Sequence, residues 1–282
     1  MKTPRWSRLL YRFSRALTAL DVGQQIARDE LFFAFLQPSQ RNSLTLDAYA
    51  RSRLYVVGGD RFSEGMWAWE AALLEQPRVP RSGRVLLGAA GGGRELQWLL
   101  ERGYEVCAFE PVATFFESAR SIARGTNTLV IQASYQDLVA RAAGKAGPLD
   151  SFGGHVDLCI LGWGSISHLT EPSDVLETFR ALRALAPEAP VITSFLLRSK
   201  GVPDVKGGAR TLRRKLRRVL EAVGRPSVPA GLRFTTSAGF CYEFSHSELS
   251  ELWLQAGYEV ASLGEVPYPH ALLLPIAAAG KS

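Results

Sequence analysis

The sequence is poor in residues that ligate metals or form covalent cross-links, with four histidines and three cysteines in 282 residues. Cys107, Cys159 and Cys241 each sit inside an apolar, strand-like run, and no two have C-x-x-C spacing. This argues against a disulfide framework and a zinc site, and for reduced core thiols in a cytoplasmic protein. His155 and His270 read as loop residues and His246 as part of a helix cap, so no metal is expected. No uncharged apolar run reaches about 18 residues, which argues against a transmembrane helix. The N-terminus also lacks the unbroken apolar stretch of a secretory signal.

Acidic side chains are absent from residues 1–20, where Lys2, Arg5, Arg8, Arg12 and Arg15 give +5. Residues 198–225 carry ten basic side chains against Asp204 and Glu221, giving +8. The whole chain is only +6, so the remainder sums to −7. Basicity therefore belongs to two segments, which weighs against a nucleic-acid-binding surface over the whole protein. The hydrophobic share of 46% is that of an ordinary globular protein with a sizeable core.

Periodicity divides the chain near residue 80. Residues 1–78 read as helical, and Trp6, Leu9, Leu10, Phe13, Leu17 and Leu20 recur at helical spacing beside an arginine stripe. A basic amphipathic helix of this kind fits either an anionic membrane surface or a lid on its own domain. Further on, Tyr49, Leu54 and Tyr55 precede the Gly58-Gly59 break, and Met66, Trp67 and Trp69 begin another helix. The turn-rich Gln76 to Gly83 then marks a boundary. Strands are expected at 84–87, 105–109, 128–131, 157–161 and 190–195, with helices between them. This alternation predicts a doubly wound α/β sheet covered on both faces. Phe240 to Phe244 is strand-like, Ser245-His246-Ser247-Glu248 matches a capping box, and Tyr258 to Val260 and Ala271 to Leu274 supply the last two strands. The expected organisation is an N-terminal helical cap over 1–80 and a core over 81–282, with a basic insertion at 198–230.

Ligands bind such sheets beyond the carboxyl ends of the strands. Gly88-Ala89-Ala90-Gly91-Gly92-Gly93 follows the first strand, and Glu110 ends the second about 20 residues later. Glycines let the backbone approach a ligand closely, and a strand-terminal carboxylate accepts from both hydroxyls of a ribose. The glycine pattern fits no frame of the dinucleotide fingerprint G-x-G-x-x-G. Residues 84–274 resemble the class I S-adenosylmethionine (SAM)-dependent methyltransferase superfamily. Val85 to Gly93 looks like its first motif, Phe109-Glu110-Pro111 its second, Ala133 to Leu138 its third, and Asp157 to His168 its fourth strand and active-site loop. Ser245 to Val260 is similar to its penultimate helix. The resemblance implies a seven-stranded Rossmann-like sheet. It further implies that Gly88, Ala89, Ala90, Gly91, Gly93 and Arg94 meet the amino-acid part of SAM. Glu110 and Pro111 would then meet the ribose, Ser134 and Tyr135 the adenine, and Gly162 and Trp163 the methylthio region. S-adenosylhomocysteine would be the product. The sequence departs from the family at Leu87, where an acid is frequent, at Ala89, which replaces the first glycine, and at Ser134, where an Asp commonly stands.

His168 is the candidate general base, and it reads equally well as a helix-leading residue; Tyr135 is a second candidate. Trp163 fits stacking on a cationic sulfur or packing under the next helix. The loop Gly162-Trp163-Gly164-Ser165 lacks both the Asn/Asp-Pro-Pro-aromatic motif and the Pro-Cys nucleophile that the family uses on nucleobases. A small-molecule, anionic acceptor is expected, attracted by the basic segment. The rival readings are an RNA or tRNA methyltransferase using the basic segments, and a non-catalytic SAM-binding protein.

Overall fold

The computed structural model describes residues 5–198, 208–225, 228–229 and 231–277, at 5–9 and 208–210 for the backbone alone. Lys2, residues 199–207 and the side chains of Arg5, Trp6, Arg8, Leu9 and Arg210, all part of the basic segments read above, lie outside the described residues.

Among the described residues four helices precede the first strand: α1 (Arg5–Phe35), α2 (Pro38–Ala50), the single turn α3 (Asp60–Ser63) and α4 (Ala68–Leu74). No proline interrupts α1, and Pro38 opens α2 at a position where its missing N–H costs nothing. The Gln40 side chain accepts from the Gln37 N–H at 2.9 Å and completes that start. The alternating region follows as β1 (Arg84–Gly88), α5 (Arg94–Glu101), β2 (Glu105–Phe109), α6 (Ala113–Ala123), β3 (Leu129–Ile131), α7 (Tyr135–Ala142), β4 (Leu158–Leu161), α8 (Pro172–Leu185) and β5 (Val191–Ser194). Then come β6 (Leu196–Leu197), α9 (Gly208–Ala222), β7 (Leu232–Thr235), β8 (Gly239–Phe244), α10 (His246–Gln255), β9 (Tyr258–Gly264) and β10 (His270–Pro275).

Seven strands form one sheet in the order β3-β2-β1-β4-β5-β10-β9. β10 runs antiparallel to both of its neighbours, and the other pairings are parallel. The order reverses beside β1, so the carboxyl ends of β1 and β4 flank the crevice where such sheets bind ligands. Strand alternation sends Leu86 to one apolar layer, with α7, α8 and α10, and Val85 and Leu87 to the other, with α4 and α5. Leu87 is fully buried there, which accounts for an apolar residue at a position where the resembling family often has an acid.

Phe195 carries the chain out of the large sheet. Beyond it β6, β8 and β7 make a separate three-stranded sheet, so the strand read at 240–244 lies here. β8 packs against α2: the Phe240 N–H donates to Thr45 Oγ1 at 3.0 Å. Ser245 caps α10 and accepts from the Glu248 N–H, as the capping box predicts.

Candidate active site

A cavity of about 160 Å³ opens over the carboxyl ends of β1 and β2. One wall is the loop after β1. Ala89 holds φ +52, the left-handed region, and is the only non-glycine residue there among the described residues. Gly91 has φ +55, and a Cβ added to it would meet nothing within 4 Å. Its backbone thus leaves open space for a ligand. Gly92 is tight instead, because an added Cβ would collide with the Tyr55 carbonyl oxygen of the segment after α2. The N-terminal segment therefore lies directly on the glycine loop.

Glu110 ends β2 on the same wall, 3% exposed. Its two oxygens accept from the N–H of Gly91 and of Val112, each at 2.8 Å. Burial pushes its carboxyl up to about 7, against the pull of those two amides and with a small push from Glu95. Two further lone-pair sites remain for hydroxyl donors.

Of the residues singled out from sequence, Ala89, Ala90, Gly91, Arg94, Glu110, Pro111, Ser134, Tyr135, Trp163 and His168 line this cavity. Gly88, Gly93 and Gly162 do not: a Cβ there would strike Phe109, Ile122 or the Ala89 carbonyl, so these glycines serve close packing behind the wall. Ser134 also caps α7, accepting from the Asp137 N–H and donating to Asp137 Oδ2 at 2.7 Å. The Tyr135 hydroxyl pairs with Ser165 Oγ at 2.6 Å. The indole N–H of Trp163 is buried with no acceptor among the described residues. Its ring meets Trp67, Tyr55 and Tyr268.

The opposite wall comes from the N-terminal helices; from sequence the acceptor is expected between the core, this cap and the basic insertion, with no site residue named in the cap. Asn42, Thr45, Leu46 and Tyr49 of α2 line it, with Tyr55, Arg61, Phe62 and Trp67. Tyr49 and Tyr55 carry an apolar pattern that reads as ordinary helix packing, and their partners lie far along the chain. The Tyr49 hydroxyl lies 2.8 Å from His168 Nε2. His168 Nδ1 lies 2.9 Å from the Phe240 carbonyl, which can only accept, so the imidazole proton sits on Nδ1. Nε2 therefore accepts from Tyr49. Burial holds His168 below its usual range and Tyr49 above its own, so both are neutral near pH 7.

A buried ion cluster joins the two walls. Arg94 donates to both oxygens of Glu70 at 2.6 Å and to Glu95 at 2.5 Å, and stacks 3.9 Å over Trp67. One cation thus serves two carboxylates, and burial pushes Glu70 up to about 7 against the pull of Arg94.

No family model matches the sequence, and no curated protein matches it. Solved structures do. A Burkholderia thailandensis 1,6-didemethyltoxoflavin-N1-methyltransferase, solved with its substrate and S-adenosylhomocysteine, superposes with a TM-score of 0.55 at 17% identity, covering 86% of this chain and 92% of its own. A Leishmania major SAM-dependent methyltransferase gives 0.53 at 17%, covering 84% of each chain. The magnesium protoporphyrin IX methyltransferase of Synechocystis, with SAM bound, gives 0.51 at 14%, covering 86% of this chain and 99% of its own. The chain has the fold of class I SAM-dependent methyltransferases.

Proposed function

We propose that the protein is a SAM-dependent methyltransferase acting on a small molecule. The carrying observation is the open loop at Gly91 facing a buried, strand-terminal Glu110 that has acceptor capacity to spare. SAM fits this set of groups: Glu110 has acceptor sites for the ribose hydroxyls, and the Gly91 backbone leaves room beside it. Glu95 offers the cavity a carboxylate that Leu87 cannot. Ala89, Ala90 and Gly91 would border the amino-acid portion, Ser134 and Tyr135 the adenine, and Trp163 the methylthio region. When bound, SAM supplies an electrophilic methyl group.

The remaining chemistry belongs to the chain itself. Methyl transfer needs alignment above all, and proton removal for some acceptors. Tyr49 and His168 both line the cavity and share one hydrogen bond. The Tyr49 oxygen is placed to take a proton from an acceptor O–H or N–H while its own proton passes to His168 Nε2. Phe240 holds the ring in the tautomer this requires.

The aromatic wall of Tyr49, Tyr55 and Trp163 suits a flat or lipophilic acceptor. An anionic group on it would meet Arg61, since the described residues of α9 stand away from the cavity. S-adenosylhomocysteine formation on a panel of small aromatic hydroxy and amino compounds tests this reading. Turnover that falls about 10²-fold in Tyr49→Phe, with KM for SAM unchanged, supports it. Product formed only on RNA, or on no acceptor despite SAM binding, would overturn it in favour of the RNA or the non-catalytic reading.

A further inference from the structure

α1 divides into two unlike halves. Toward its C-terminal end Ile26, Phe33 and Ala34 are buried. Residues 10–20 are all exposed, Leu10, Phe13, Leu17 and Leu20 at 50% or more. At about 100° per residue these four share one side of the helix, with Arg12 and Arg15 opposite. α9 packs against the inner half of α1, where Arg217 and Arg213 meet the buried Glu30 at 3.0 and 3.3 Å. It repeats the pattern along one flank: Leu212, whose tip also reaches Gly23 of α1, Val219 and, just past its end, Val223 are exposed along one line, with Arg214 and Arg218 across from them. Two packed helices thus each present an apolar stripe backed by basic side chains, and neither stripe belongs to the cavity.

We propose that α1 and α9 together form a docking surface for an anionic lipid bilayer, with the apolar stripes entering the headgroup boundary and the arginines meeting lipid phosphates. Charge complementarity selects this occupant. A second copy docking through this same surface would bring the same acid-free residues 1–20, with five basic groups and nothing in them to pair with. A bilayer supplies apolar and anionic layers side by side, as such helices require. Peripheral attachment of this type needs no spanning segment, and no helix among the described residues is long and apolar enough to cross a membrane.

The test is co-sedimentation of the full chain with vesicles of phosphatidylcholine alone, or of phosphatidylcholine with phosphatidylglycerol. At least tenfold stronger partition onto the anionic vesicles, lost at high salt, is expected (roughly one salt-sensitive contribution per basic residue). Phe13→Gln with Leu17→Gln should weaken it about 100-fold, and Arg12→Gln with Arg15→Gln about tenfold. These positions are exposed, so circular dichroism and melting should match the wild type. Equal partition on both vesicles, or none, would overturn the proposal. So would a dimer in light scattering that Phe13→Gln with Leu17→Gln dissolves, or RNA binding without vesicle binding.

Discussion

The two walls of the cavity are built by different logic. The loop wall is local: Gly91, Glu110 and Val112 lie within about two strand–turn units, and the sheet fixes them through short-range register. The helical wall is assembled at long range. Tyr49 and His168 are 119 residues apart, and Thr45 and Phe240 are 195 apart. The first wall suits a cofactor shared by many relatives of one fold; the second suits whatever acceptor is particular to this chain. Variants should separate them.

The largest effect is expected where the walls join. Arg94→Met strips the cation from two buried carboxylates, Glu70 and Glu95, and should destabilise the protein by about 3–5 kcal/mol in chemical denaturation. A loss below about 1 kcal/mol would show that the walls fold independently of this cluster. Next comes the helical wall alone. Tyr49→Phe should reduce turnover while SAM affinity stays the same, the outcome that keeps acceptor chemistry on that side. If SAM affinity fell equally, the two walls would be one site. The smallest effect is expected from the backbone strain of the loop wall. Ala89→Gly relieves a left-handed alanine and should stabilise by roughly 0.5–1 kcal/mol, the strain removed less the entropy added. A destabilised variant would show that the Ala89 methyl packs usefully in the cavity.

The same division explains what was legible in the sequence. Strand–helix alternation from Arg84 onward, the glycine loop and the acid ending β2 are local patterns; the seven-stranded sheet was legible only through the family resemblance these carry. The small sheet was not legible, because Leu196-Leu197 and Leu232–Thr235 are too short to announce themselves and pair only through β8. The helical wall was hidden for a related reason: Tyr49, Tyr55 and Trp67 look like core aromatics until the chain folds back over the loop. Ser134 carried a readable signal in Ser134-x-x-Asp137, a capping box beside the cavity. The basic segment, expected to attract an anionic acceptor, rests in its described part on α1 through Glu30.

Glu110 is where the central claim is most exposed. Its carboxyl is pushed up to about 7 because burial outweighs two amide donors. Raised above its unfolded value, it contributes stability at low pH that is lost as pH rises through about 7. Ribose hydroxyls need the ionised form, so SAM binding must release a proton below that pH and tighten above it. The decisive measurement is a calorimetric titration of SAM at about pH 6 and about pH 8, with wild type and Glu110→Gln. The wild type should bind about tenfold more tightly at the higher pH. The variant should bind about 100-fold more weakly there and show no such dependence. Wild-type protein that ignores SAM, or a variant that binds it equally well, would contradict the assignment of this cavity.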